Sequence, residues 1–104
     1  MLNAKYPEYN GWSSWATWNC KLWLDNEESD ARYWQFKAEQ HAKRYGKENP
    51  HLLADELKEH HEQQMPELSG IFADLLNAAF SEINWQEIAE SFLNDAVEEM
   101  ESAK

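Results

Sequence analysis

Glycine and proline are scarce, three of each in 104 residues. A β-rich fold would need such residues at its many turns, so this scarcity disfavours one. Cysteine occurs once, as Cys20, which excludes an internal disulfide; beside Leu22 and Trp23 it reads as a reduced, buried thiol. No apolar run approaches the ~20 residues of a membrane span. The segment Met1 to Pro7 lacks the continuous apolar stretch of a signal peptide, so the expected compartment is the cytoplasm. Bases are also few: nine Lys and Arg against twenty Asp and Glu leave a formal charge of −11. Charge of that sign repels DNA, RNA and anionic lipid, and makes a basic protein surface the natural partner.

Against these shortages stand 42% hydrophobic residues and six tryptophans. That aromatic content separates the chain from a disordered acidic tail. The length suits one domain, taken as residues 1–104 with an irregular lead-in over 1–13, and excludes a multidomain enzyme. The charge is uneven. Through Leu52 seven acids balance seven bases, whereas from Leu53 onward thirteen acids meet only Lys58 and Lys104, so the second half carries the whole excess.

Apolar residues recur with a period near 3.6, which predicts a compact all-α bundle of about five helices. Ser14 is a natural N-cap for a first helix with Trp15, Trp18 and Leu22 on one face, ending at Asp25-Asn26. A second runs from Glu27 or Ser29 to Tyr45, with Ala31, Trp34, Ala38, Ala42 and Tyr45 inward, Phe36 to one side, and Gly46 closing it. Asn49-Pro50 opens a third, to Gln64, in which only Leu53 and Leu57 are strongly apolar, so it is expected mostly at the surface. After Pro66 a fourth helix carries Leu68, Ile71, Phe72, Leu75, Leu76, Ala79 and Phe80, the most core-like segment of the chain. Asn84 with Glu87 resembles a capping box, and opens a fifth helix with Trp85, Ile88, Ala89, Phe92, Leu93, Ala96 and Met100 inward.

The carboxylates fall in rows. Asp55, Glu59 and Glu62 lie at i, i+4 and i+7 with Glu56 beside them; Glu87, Glu90, Glu98 and Glu101 line the outer face of the fifth helix with Glu99 beside them. Like charges at i, i+4 destabilise an isolated helix by a few tenths of a kcal/mol per pair. A solvated face explains such rows through the helix propensity and solubility of Glu. Imitation of a phosphate backbone explains them too, because four residues of helix rise ~6 Å, the same order as phosphate spacing along a strand.

Catalytic chemistry finds less support. A di-iron bundle needs Glu-x-x-His on two helices, and the only such spacing, Glu48 to His51, straddles Pro50. His60 and His61 are therefore expected on an exposed helix surface. Cys20 and the serines stand in no nucleophile motif, and no glycine-rich phosphate loop occurs. The chain reads as a non-enzyme without cofactor or metal. Trp12, Trp15, Trp18 and Trp23 crowd into twelve positions; their helical spacing points to core, with Trp12 and Trp23, off the main stripe, as the alternative of an aromatic interface.

The run Trp15-Ala16-Thr17-Trp18-Asn19-Cys20-Lys21-Leu22-Trp23-Leu24-Asp25-Asn26 resembles a motif near the start of a family of small proteins of uncharacterised function from phages, plasmids and bacterial chromosomes. Ile83-Asn84-Trp85-Gln86-Glu87-Ile88-Ala89 is similar to that family's Val-Asn-Trp-x-Glu-Ile-Ala, and Pro66 to Leu76 is similar to its middle, so the resemblance spans roughly residues 9 to 97. Where the family usually has Asn-Tyr-Glu, this chain has Ser14-Trp15-Ala16. The resemblance implies no transferable catalytic residue. It implies a mobile-element context, in which small acidic proteins neutralise host defences as anti-CRISPR and antirestriction proteins do. The expected function is thus a DNA-mimicking inhibitor that binds a basic nucleic-acid-binding surface through Asp55, Glu56, Glu59, Glu62, Glu87, Glu90, Glu98, Glu99 and Glu101. The alternative is a regulatory or adaptor module that binds a partner through its aromatic surface.

Overall fold

A computed structural model describes residues 9–103, so the part of the expected lead-in before Tyr9 lies outside the described residues. Five helices follow one another: α1 (Trp15–Asn26), α2 (Glu28–Tyr45), α3 (Pro50–Gln64), α4 (Gly70–Ser81) and α5 (Trp85–Ser102). No strand occurs among the described residues, and the all-α bundle expected from the periodicity is what forms. Ahead of α1, Tyr9 to Trp12 make a turn closed by Trp12 N–H to Tyr9 O at 3.0 Å. Its central residues, Asn10 and Gly11, have φ of 52° and 92°, and Asn-Gly is the pair that adopts such positive φ most readily.

The joints follow local chemistry. Glu27 alone separates α1 from α2: its N–H bonds Trp23 O at 3.1 Å while its own carbonyl accepts from Ala31 N–H at 2.8 Å. Gly46, at φ 75°, ends α2 by donating to Ala42 O at 2.9 Å. Asn49 precedes Pro50 as expected, but its side chain makes no cap to α3; its Nδ2 donates back to Tyr45 O at 2.8 Å and satisfies the end of α2.

α5 is the central element. Both α2 and α3 pack along it, and α1 lies against α2 and α5. Trp34, Ala38 and Ala42 of α2, Leu53, Ala54 and Leu57 of α3, and Trp85, Ile88, Ala89, Phe92, Leu93 and Ala96 of α5 form the core, with Leu24 from α1. α3 has the inner face expected of it: Leu53 and Leu57 are fully buried, with Ala54 beside them, while its other residues are exposed or half-buried. His60 and His61, expected on an exposed surface, are half-buried. The His61 ring stacks on Trp34 at 6.1 Å and on Trp85 at 5.2 Å, which ties α2, α3 and α5 together through one imidazole.

α1 is turned from the orientation its tryptophans suggest. Its buried residues are Ala16, Thr17, Lys21 and Leu24, whereas Trp15, Leu22 and Trp23 are exposed. The reason lies at Thr17, which is 0% exposed. Its Oγ1 accepts from Asn84 N–H at 2.8 Å, and Ser14 Oγ donates to Glu82 O at 2.8 Å. Ser14 and Thr17 oxygens lie 2.8 Å apart, so the Thr17 proton can go to Ser14 Oγ while the Ser14 proton goes to Glu82. Ser14 Oγ also accepts from Thr17 N–H at 3.1 Å, the expected N-cap. In return Glu87 reaches from α5 to Ser13, accepting from its N–H at 3.2 Å and its hydroxyl at 3.0 Å. Asn84 caps α5 by accepting from Glu87 N–H at 3.2 Å. One half of the expected capping box thus forms within α5, and the other is exchanged between helices: Thr17 takes the Asn84 N–H, and Glu87 goes to the start of α1.

The largest departure is α4. Far from being the most core-like helix, it has no buried residue. Ile71, Phe72 and Leu75 are 67%, 66% and 60% exposed, and Leu68 lies in the extended connection before Gly70. The contact of α4 with the core is made by Phe80, half-buried, with its ring 5.5 Å from that of Trp85.

Replacement of Leu57 by Ala should lower unfolding free energy by about 2–5 kcal/mol in denaturant titrations. Thr17→Val, which keeps the shape and removes the hydroxyl, should cost about 1–3 kcal/mol by stranding the Asn84 N–H.

Candidate functional site

Seven of the nine carboxylates singled out by sequence stand on exposed positions: Asp55, Glu59 and Glu62 on α3, and Glu90, Glu98, Glu99 and Glu101 on α5. None of them has an ion-pair partner among the described residues. The other two have internal work. Glu56 binds Lys37 Nζ at 2.9 Å and His41 Nε2 at 2.6 Å, clamping α3 to α2, and Glu87 is held by Ser13. The two acidic rows stand on helices that share one core.

Several bases are tied down elsewhere. Lys21 is buried, with its ammonium on both oxygens of Asp25 at 2.7 and 2.8 Å and 4.5 Å from the Phe92 ring centroid. Arg32 pairs with Glu28 across one turn of α2. Lys37 is occupied by Glu56, whose hydrogen bond holds the Lys37 pKa above its ordinary value. Lys43, Arg44, Lys47 and Lys58 stay exposed, so the charge facing solvent is an excess of carboxylates that includes the acidic rows.

A second feature was not singled out by sequence. An apolar groove of about 440 Å³ runs between Trp15 and Trp23 of α1, Met65 of the α3–α4 connection, Leu76 and Phe80 of α4, and Trp85. Its rim is well exposed, Trp15 at 53% and Trp23 at 61%. Beyond the groove the outer side of α4 adds Ile71, Phe72 and Leu75. The sequence signal was present as the breadth of the α4 apolar arc, but breadth alone reports a face to be covered and not the covering element. Trp12, the other suggested contact residue, is instead partly buried against the core.

Titrating groups sit inside the scaffold. Burial between the indoles lowers the His61 pKa below its ordinary value of 6.5, outweighing the hydrogen bond of Nδ1 with Leu57 O at 2.7 Å. Burial disfavours ionised Glu56, but hydrogen bonds from Lys37 and His41 overcome it, and its pKa lies below 4.5. Burial pushes the Cys20 thiol up to about 12, so this half-buried sulfur stays protonated and unreactive at neutral pH. Among the described residues no group of three or more His, Cys, Asp or Glu side chains could hold a metal ion. Among them, too, no helix is long and apolar enough to cross a membrane.

The chain belongs to a family of unknown function (DUF7249), which matches residues 5–103. Among curated proteins and among solved structures no match to the chain is found.

Of the shifted groups, His61 and Glu56 lose their contribution on acidification. Neutral His61 supports the fold fully above its ordinary value of 6.5, and that support is lost as pH falls through the depressed native value. Ionised Glu56 does the same below its ordinary 4.5. Denaturation midpoints should therefore fall in two stages on acidification, and His61→Phe, which retains the stack, should flatten the first stage while leaving the second.

Proposed function

We propose that this protein is a non-enzymatic acidic inhibitor of mobile-element origin, acting in the cytoplasm on a host defence complex. In this reading the outer faces of α3 and α5 occupy a basic nucleic-acid-binding surface, in the manner of DNA-mimicking anti-CRISPR or antirestriction proteins. The observation that carries the reading is the set of seven exposed carboxylates without ion-pair partners, presented on two helices fixed by a common core. Side chains at i, i+4 repeat every ~6 Å along such a helix, and rigid presentation spares the cost of ordering a flexible acidic chain. Asp55, Glu59 and Glu62 would form one row; Glu90, Glu98, Glu99 and Glu101 would form the other. Glu56 and Glu87 would support them, the first by fixing α3 on α2 and the second by fixing α5 on α1.

A second reading, a regulatory or adaptor module, is favoured by a different observation: the exposed rims of the groove, Trp15 and Trp23. Exposed tryptophans at a concave apolar site have the character of interface hot spots.

The two separate experimentally. Tagged protein is used to capture targets from bacterial lysate, and a captured nucleic-acid-binding complex is then assayed for nucleic-acid binding. Simultaneous Glu59→Lys, Glu62→Lys, Glu90→Lys and Glu98→Lys should weaken capture by roughly a hundred-fold or more, as should a rise in salt, since exposed charge pairs are screened beyond ~8 Å at physiological ionic strength. Trp23→Ala should leave capture unchanged. Capture that survives charge reversal and high salt but is lost with Trp23→Ala would transfer the function to the aromatic surface.

A further inference from the structure

The outer side of α4 has no covering element within the chain. Gly70, Asp74, Asn77 and Ser81 fall at i, i+4, i+7 and i+11 and gather its polar residues into one narrow stripe. The rest of the circumference is apolar. Leu76 and Phe80 face the groove, while Ile71, Phe72 and Leu75, with Leu68 just before the helix, face solvent. A 12-residue helix is marginal in water on its own and depends on packing of its apolar face. Here that packing covers only one side.

We infer that the outer face of α4 is the contact through which two copies of this chain form a twofold dimer. The spacing of the stripe is one argument. Within the helix Ile71, Leu75 and Ala78 follow one another at four and three residues, the spacing by which helices pack against like helices. Two α4 helices antiparallel about a twofold axis set Ile71 of one copy near Leu75 of the other, as a self-complementary interface requires.

Area is the second argument. From their fractional exposures, Leu68, Ile71, Phe72 and Leu75 leave on the order of 500 Å² in water, already more than the few hundred Å² of contiguous apolar surface that a monomer ordinarily shows. Two such faces together would bury on the order of 1,000 Å², the size at which a specific interface begins. Charge is the third. Ile71, Leu75 and Ala78 include no ionisable side chain, Asp74 at their edge is the one acid of the helix, and the acidic rows of α3 and α5 are carried by other helices. The remaining cost is the long-range repulsion of two bodies of −11 each, which salt screens.

Sedimentation of the full chain across a concentration series, at low and at high salt and with no target present, tests the inference independently of the proposed function. A dimer is expected, tightening as salt rises, the opposite of the salt dependence of capture by the acidic rows. Ile71→Glu and Leu75→Glu should each raise the dissociation constant by roughly a hundred-fold or more, because a charge would be buried without a partner. Their side chains leave the core untouched, so the thermal unfolding of the bundle should remain cooperative. Asn77→Glu makes the same change in charge on the polar stripe of the same helix and should leave the dimer within a few-fold of its original strength. A chain that stays monomeric at high micromolar concentration in both salts would overturn the inference. So would equal weakening by Asn77→Glu, or protection of Phe72 and Leu75 only on addition of a basic protein, which would assign the face to a different partner.

Discussion

The structure depends on an exchange of caps between α1 and α5. An isolated helix leaves its first N–H groups without partners, and these two helices satisfy each other: Thr17 receives the Asn84 N–H, and Glu87 receives the Ser13 N–H and hydroxyl. Residues more than sixty apart in sequence are fixed by hydrogen bonds at which little error in register is tolerable. The orientation of α1 follows, since Thr17 must face inward and Lys21 and Leu24 on the same stripe go with it. The outward turn of Trp15 and Trp23 is thus a result of the polar lock and not a choice made by the tryptophans.

Much of this architecture was legible in the residues. The starts and ends of α2, α3 and α5 could be read from Gly46, Pro50 and Asn84, because capping is local chemistry. The inner faces of α2 and α5 were legible in Trp34, Ala38, Ile88 and Phe92 because those helices are amphipathic over many turns. The inner face of α1 was not, since one buried threonine and one buried lysine outweigh three large apolar side chains. Nothing in the local pattern of Lys21 announces that Asp25 and the Phe92 ring will enclose its ammonium. α4 failed for a different reason. Periodicity measures the need to bury a face and is silent on whether the burying surface belongs to the same chain.

Among the candidate site residues, the rows at Asp55, Glu59 and Glu62 and at Glu90, Glu98 and Glu101 were legible from helical spacing alone. The internal tasks of Glu56 and Glu87 were not, because each depends on a partner brought in from another helix. Charge and apolar surface are thereby separated on this molecule. Carboxylates occupy the backs of α3 and α5, while apolar exposure lies on α4 and the adjoining edge of α1 and, on α2, at Tyr33, Phe36 and Tyr45. Two contacts of opposite chemical character can consequently be made at once without competing for the same side chains.

The division of the tryptophans has a practical consequence. Trp34 and Trp85 lie in the core on either side of His61, whereas Trp15 and Trp23 meet solvent. Indoles in these settings emit at different wavelengths, blue-shifted in the interior and red-shifted in water. The protein therefore carries two optical gauges in one polypeptide, an inner pair that registers whether the bundle is assembled and an outer pair that registers whether its surface is occupied. A spectral change confined to the red side would report an encounter, and one on the blue side a loss of structure, without any label attached.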